Sequence, residues 1–194
     1  MNDEQARAQI LDVADRLYYS RGIQAVGMDE LRTGAGVSLK KLYQLFPSKA
    51  EIVEEVLRRR NREWSAGVRA EAEKHSTPRG KLLAIYDFLA GWFVQDDFRG
   101  CAFINSFGEL GSTAPGVAEA ARSHKASFES YVVSLAEEAG AGPDLAPQLV
   151  LLAEGAQTTA SILRRPDVAS HARAAAEVLI DAALATRATA AVAG

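Results

Sequence analysis

Apolar side chains recur along this chain at intervals of three and four rather than two. Ile10, Val13, Ala14, Leu17 and Tyr18 stand at i, i+3, i+4, i+7 and i+8, which puts them on one face of a helix that Gly22 is suited to end. A short second helix is predicted from Met28 to Thr33, with Asp29 and Glu30 in its first turn, where they suit the positive end of the helix dipole. The stretch GAGVS, residues 34 to 38, breaks it, and Ser38 can cap a third helix ending before Pro47. Ser48 and Glu51 have the S-x-x-E spacing of a capping box and open a long fourth helix, with Ile52, Val56 and Trp64 on its buried side. Three short helices and a long one are thus expected by residue 75.

The remainder continues in helical period. Thr77 and Pro78 read as a cap and first helical position, and the stretch to Val94 carries Leu82, Leu83, Ile85, Tyr86, Leu89, Trp92 and Phe93. RGCAFINSFGELGSTAPG has breakers at both ends and predicts a short helix between loops. Longer helices follow over Ala118 to Ala139, about Leu145 to Leu163 and about Val168 to Thr186, the last two separated by RRPD. The expected fold is all-α with about nine helices. Residues 1–50 would form a three-helix helix-turn-helix domain, 48–75 a linking helix, and 76–194 a second helical domain.

Composition narrows the class. A length of 194 residues suits one to two domains. The single cysteine, Cys101, rules out an internal disulfide framework and fits a reducing compartment. The first ten residues carry acids early and lack the apolar run of a secretory signal. No stretch approaches the ~20 apolar residues that cross a bilayer. A soluble, cytoplasmic protein without membrane partners is expected.

Charge is distributed unevenly. Residues 32 to 49 hold Arg32, Lys40, Lys41 and Lys49 and no acid, a local +4; taking +4 from the net −3 leaves −7 for the remainder. Polyanions should therefore favour that end. Two helices joined by a glycine-containing turn, the second one basic, form the helix-turn-helix pattern whose second helix enters the DNA major groove. Leu42, Leu45 and Phe46 would pack inward, while Lys40, Lys41 and Gln44 project away. Lysines attract phosphate regardless of sequence, and lysine and glutamine can also read guanine and adenine edges. A solvated face on a core helix fits the same pattern.

Residues 22 to 57, GIQAVGMDELRTGAGVSLKKLYQLFPSKAEIVEEVL, resemble the DNA-binding domain of the TetR family of bacterial transcriptional regulators. The resemblance rests on Gly22 after an amphipathic helix, Asp29 and Leu31, the run from Ala35 to Ser38, the pair Leu42 and Tyr43, and Phe46 followed by Ser48 and Lys49. It implies a recognition helix over residues 38 to 44. Met28, Ser38, Leu39, Lys40, Lys41, Tyr43, Gln44 and Lys49 are the implied DNA-contact candidates, with Tyr43 and Lys49 on phosphate. Gly27 stands where the family commonly has a capping Ser or Thr. Leu39, Lys40 and Leu45 also depart from the family's usual residues, so the operator cannot be read from the sequence.

Leu145, Leu149, Leu152, Ala156, Thr159 and Leu163 repeat at threes and fours, and the last helix carries many alanines. That pattern suits either a bundle between two copies or internal packing. The resemblance favours a homodimer through the last two helices, with Leu149, Leu152, Ala156, Leu163, Leu179 and Ala183 as interface candidates. It likewise implies a small-molecule effector, with Trp92, Phe93, Phe103, Asn105, Phe107, Tyr131 and Gln157 as candidate pocket residues. The implied activity is a repressor that binds a pseudo-palindromic duplex operator and is released by an effector of unknown identity.

Other classes leave residues 32 to 49 unexplained. Cys101 with His124 and Asp96 or Asp97 supplies the residue types of a nucleophilic site but no signature around the cysteine. A redox sensor through Cys101, or a helical dimeric interaction module, are the remaining readings. His75, His124 and His171 are scattered without metal-ligand spacing, and Gly100, Gly108 and Gly111 fit no phosphate loop. No enzyme, cofactor or metal is expected.

Overall fold

Nine helices are formed among the described residues: α1 (Asp3–Arg21), α2 (Met28–Gly34), α3 (Leu39–Leu45), α4 (Lys49–Ala72), α5 (Pro78–Phe93), α6 (Ala102–Leu110), α7 (Pro115–Glu138), α8 (Leu145–Leu163) and α9 (Val168–Val192). The structure is a computed structural model that describes the backbone of residues 2–192 and side chains of 2–185.

Local chemistry accounts for the boundaries. Asn2 and Gln5 exchange hydrogen bonds at the start of α1, each side chain accepting the other's backbone N–H. Thr77 accepts the N–H of Gly80 at 3.1 Å ahead of Pro78. The fourth helix closes at Ala72, short of residue 75, where Lys74 and His75 turn back onto Glu71 and Ala72. Proline at the first helical position starts α7 at Pro115, three residues ahead of the expected Ala118. Alanine, the strongest helix former, carries α9 past Thr186 to Val192.

The chain divides into two compact units. The first is Met1–Arg62 with Cys101–His124; the second is Glu63–Gly100 with Lys125–Gly194. The first therefore takes in α6 and the start of α7 as well as the three N-terminal helices, an arrangement the chain order does not suggest. Its core gathers Ile10, Val13 and Ala14 of α1, Leu31 of α2, Leu42 of α3, Phe46, and Ile52 and Val56 of α4. In the second unit α8 packs on α9 and both pack on α5, around Leu82, Tyr86, Leu89, Val132, Leu149, Ala153 and Ile180. Tyr86 donates its hydroxyl to the Leu149 carbonyl at 2.8 Å, so its one buried polar atom is satisfied. Arg79 bridges Asp181 (2.6 Å) and Glu177 (2.8 Å), and Arg173 meets Asp87 at 2.7 Å, tying α9 to α5.

Candidate nucleic-acid interface

The turn between α2 and α3 sets the geometry. Gly36 adopts φ 63, a left-handed conformation that glycine takes without strain. The N–H groups of Gly36 and Val37 return to the carbonyls of Thr33 and Arg32, at 3.2 and 3.0 Å. Ser38 then leaves the turn extended and its Oγ accepts the N–H of Lys41 at 3.1 Å, starting α3 as its spacing predicted.

Burial of Leu42 and Phe46 orients α3, since both are fully enclosed. Leu39, Lys40, Tyr43 and Gln44 are left exposed, Tyr43 at 47%. Lys40, Tyr43 and Gln44 lie at i, i+3 and i+4, so an ammonium, a phenol and a carboxamide share one outer face. Such a face offers donors to phosphate oxygens and groups able to reach base edges.

Lys41 departs from expectation. It is half-buried and turned toward α1, where its Nζ meets Asp3 at 2.6 Å. Of the two lysines of α3, only Lys40 lacks a carboxylate partner among the described residues. Asp3→Asn removes that partner. The expected result is a few-fold tighter binding to duplex DNA, with a log–log salt slope steeper by about 0.9 as Lys41 gains a phosphate. An unchanged slope in a salt titration would place Lys41 outside the interface.

Lys49 opens α4 in a half-buried position. Burial lowers its pKa and the Glu109 carboxylate acts against that, supporting the charged amine. Ser48 Oγ accepts the N–H of Glu51 at 3.2 Å ahead of it. Met28 begins α2 half-buried against the core. The preceding Gly27 gives α2 no side-chain cap, as expected of a residue without a side-chain oxygen.

Two supports of this head escaped the sequence reading. Arg7 donates Nη1 to the Leu45 carbonyl at 2.7 Å and lays its guanidinium 4.2 Å from the Phe46 ring centre, closing the end of α3. Glu109 of α6 accepts two consecutive backbone N–H groups, Ile23 at 3.2 Å and Gln24 at 3.1 Å, while Gln24 Nε2 donates to the Glu109 carbonyl at 2.9 Å. Gly22, at φ 87, makes room: a Cβ there would stand 2.9 Å from a Glu109 oxygen. These partners are 38 and about 85 residues apart in the chain, beyond any local pattern.

The candidate effector residues fall in both units. Phe103, Asn105 and Phe107 belong to the first; Trp92, Phe93, Tyr131 and Gln157 belong to the second. Phe103 stacks on His124 at 3.8 Å between ring centres, Phe107 is exposed, and Asn105 lines a void of about 20 Å³ beside Tyr18 and Ser106. In the second unit Trp92 and Phe93 form an aromatic cluster with Phe98, and Arg69 covers the Tyr131 ring. Gln157, 1% exposed, gives its Nε2 to the Ala153 carbonyl at 3.3 Å, whereas its Oε1 has no hydrogen-bond partner among the described residues.

The interface candidates on α8 divide between two faces. Leu149 and Ala156, expected at an interface between two copies, are instead enclosed in the core of their own unit, and Leu152, Leu179 and Ala183 are half-buried. Leu163 is exposed. The apolar residues that do face outward are Leu151 and Ile162 on α8, at 73% and 74%, and Val178 on α9 at 69%. Leu151 and Ile162 lie on one helical stripe with Gly155 between them.

Cys101 is buried as the residue preceding α6. His124 is buried with Nδ1 2.6 Å from Asn61 Oδ1, an environment of packing and hydrogen bonding. Among the described residues no group of three His, Cys, Asp or Glu could hold a metal ion, and no helix is long and apolar enough to cross a membrane.

A capped helix presenting lysine, tyrosine and glutamine after a glycine turn, in an all-helical chain, defines a helix-turn-helix protein. Residues 10–56 match the family described as bacterial regulatory proteins, tetR family. A TetR transcriptional regulator from Streptomyces avermitilis is 31% identical, the alignment covering 92% of this chain and 97% of that one with a TM-score of 0.81. The chain belongs to the TetR family. A TetR-family transcriptional regulator from Streptomyces coelicolor superposes with a TM-score of 0.87 at 28% identity, covering 93% and 97% of the two chains. The HTH-type transcriptional activator FasR of Mycolicibacterium smegmatis is 35% identical over 101 residues, 52% of this chain and 46% of FasR, so the match spans just under half of that relative.

Proposed function

We propose that this chain is a homodimeric regulator of transcription, a repressor that binds a pseudo-palindromic operator and is released by a small-molecule effector. The observation that carries the reading is the outer face of α3, where Lys40, Tyr43 and Gln44 are exposed together over a helix anchored by Leu42 and Phe46. Reading DNA is the role of the first unit; dimerisation and effector binding are the roles of the second. The exposed apolar stripe of Leu151 and Ile162, with Val178, supports pairing through α8 and α9. Two-fold pairing sets two recognition helices about 34–36 Å apart, one turn of DNA. The unpartnered, buried Oε1 of Gln157 supports a ligand that brings a hydrogen-bond donor into the second unit. Such a ligand releases DNA by its differential affinity for two conformations, typically about 1–3 kcal/mol.

The similarity to FasR, an activator by name, favours a second reading of the sign: the same DNA binding recruits transcription instead of blocking it. Selection of sites from a random duplex library tests the shared core. The expected result is an inverted repeat for the parent chain and loss of two-half-site binding for Leu151→Glu, which puts a charge in the pairing stripe. Recovery of no motif by folded protein refutes the reading. Transcription from a promoter carrying the selected site then fixes the sign.

A further inference from the structure

The second unit carries an open cleft of about 470 Å³ where the end of α5 and its following loop meet the junction of α8 and α9. Phe93 and Phe98 form its apolar wall, and Arg99, Arg164 and Arg165 stand around it with Asp96 as the one acid of the lining. Three guanidinium groups stand against Asp96 in the lining and Asp167 beside Arg165, which leaves a positive site on a chain of net charge −3.

Arg164 is the unusual residue. It closes α8 in the left-handed conformation, φ 52 and ψ 46, and is the one described non-glycine residue with positive φ. Its N–H returns to the Ala160 carbonyl. Glycine is the usual occupant of this helix-ending position because a Cβ is strained there. Strained backbone of this kind gathers at ligand sites, where the side chain is worth more than the relaxed conformation. The Arg164 guanidinium is exposed and has no hydrogen-bond or ion-pair partner among the described residues.

The neighbouring groups are held in place. Arg99 Nη1 donates to the carbonyls of Asp96 (3.1 Å) and Phe98 (2.8 Å). Arg165 is engaged by Asp167 at 2.5 Å. Phe98 is fixed edge-on to Trp92 at 5.1 Å and tilted on Phe93 at 4.9 Å, between ring centres. A planar guanidinium pairs with a carboxylate through two parallel hydrogen bonds, and a fixed aromatic wall beside it accepts a flat apolar body.

We propose that this cleft is a binding site for a small organic acid, its carboxylate on Arg164 within the field of Arg99 and Arg165, and its aromatic or aliphatic body against Phe98. An inorganic anion would leave the aromatic wall unused, and an amine would face the Arg164 guanidinium, which has no carboxylate partner among the described residues. The site stands independently of how the protein reads DNA, because binding is measured on the full chain without DNA.

Isothermal titration with phenylacetate, phenethylamine and inorganic phosphate tests it. The expected result is saturable binding of phenylacetate at least tenfold tighter than either of the others, phenethylamine having the same body with opposite charge. Arg164→Gly lowers phenylacetate affinity tenfold or more while the melting temperature holds or rises, because glycine accepts the left-handed conformation freely. Arg164→Asn, also tolerant of that conformation, repeats the loss should the glycine variant fold poorly, and Arg164→Lys restores part of it. Absence of saturable phenylacetate binding, phosphate binding as tightly, or full affinity in a folded Arg164→Gly or Arg164→Asn chain overturns the proposal.

Discussion

Replacing Lys40, Lys41 and Lys49 together by alanine is expected to leave the helices intact while weakening duplex DNA binding on the order of a hundredfold at physiological salt. The fold survives because none of the three supports the core: Lys40 is exposed, and Lys41 and Lys49 are half-buried. Lys41 forfeits only its pairing with Asp3, a surface interaction of about 0–1 kcal/mol. Binding suffers because each lysine on phosphate releases counterions, so the salt slope should fall by about 1.8, two times 0.9 for Lys40 and Lys49, Lys41 being held by Asp3. The single variants should rank by partnering. Lys40→Ala costs most among the α3 lysines because its ammonium has no carboxylate partner among the described residues, and Lys41→Ala costs less because Asp3 already claims it. Lys49→Ala should weaken all sequences about equally, as a phosphate contact does. Fluorescence anisotropy against the selected operator and a scrambled duplex, at several salt concentrations, checks both magnitude and order. Retention of affinity in the triple variant would show that α3 does not face DNA.

The second large effect concerns the head that carries this face. Phe46→Ala is expected to destabilise the first unit by about 3–5 kcal/mol, the usual result of emptying a fully enclosed aromatic site. Phe46 is wholly buried, follows α3 directly, and lies beneath the Arg7 guanidinium, so the substitution loses a ring from the core and the stacking partner of the arginine that closes α3. Leu45→Ala, at a half-buried position, should cost much less. The readout must separate the units. Trp64 and Trp92 both belong to the second, so tryptophan fluorescence reports that unit, while exchange of the Leu42 amide, bonded to the Ser38 carbonyl at 2.9 Å, reports the first. Faster Leu42 exchange with a retained tryptophan transition is the expected outcome; unchanged exchange would show that the Phe46 site collapses without loss.

The elements were legible because their signals are local. Period, caps and breakers act over three to eight residues, and Ser38, Thr77, Pro78 and Gly36 perform in the structure what their chemistry allows at those positions. The outward face of α3 was legible in part: placing Leu42 and Phe46 inward leaves Lys40 and Gln44 outside, whereas Lys41, expected beside them, turns to Asp3.

Contacts across the chain were a different matter. Leu149, Leu151, Leu152 and Ile162 are alike in hydrophobicity, so α8 is apolar on more than one side, and its period cannot say which side meets its own unit. Packing against α5 and α9 buries Leu149 and leaves Leu151 exposed. The pairing of Lys41 with Asp3, the hold of Glu109 on the turn after α1, and the inclusion of α6 in the first unit join residues tens of positions apart. So the order of helices and the chemistry of the outer face of α3 were written in the sequence, where neighbours along the chain determine backbone conformation. Which charges remain free, which apolar face stays open, and the strained arginine at the end of α8 were decided by tertiary structure, because burial and partnering depend on what packs alongside.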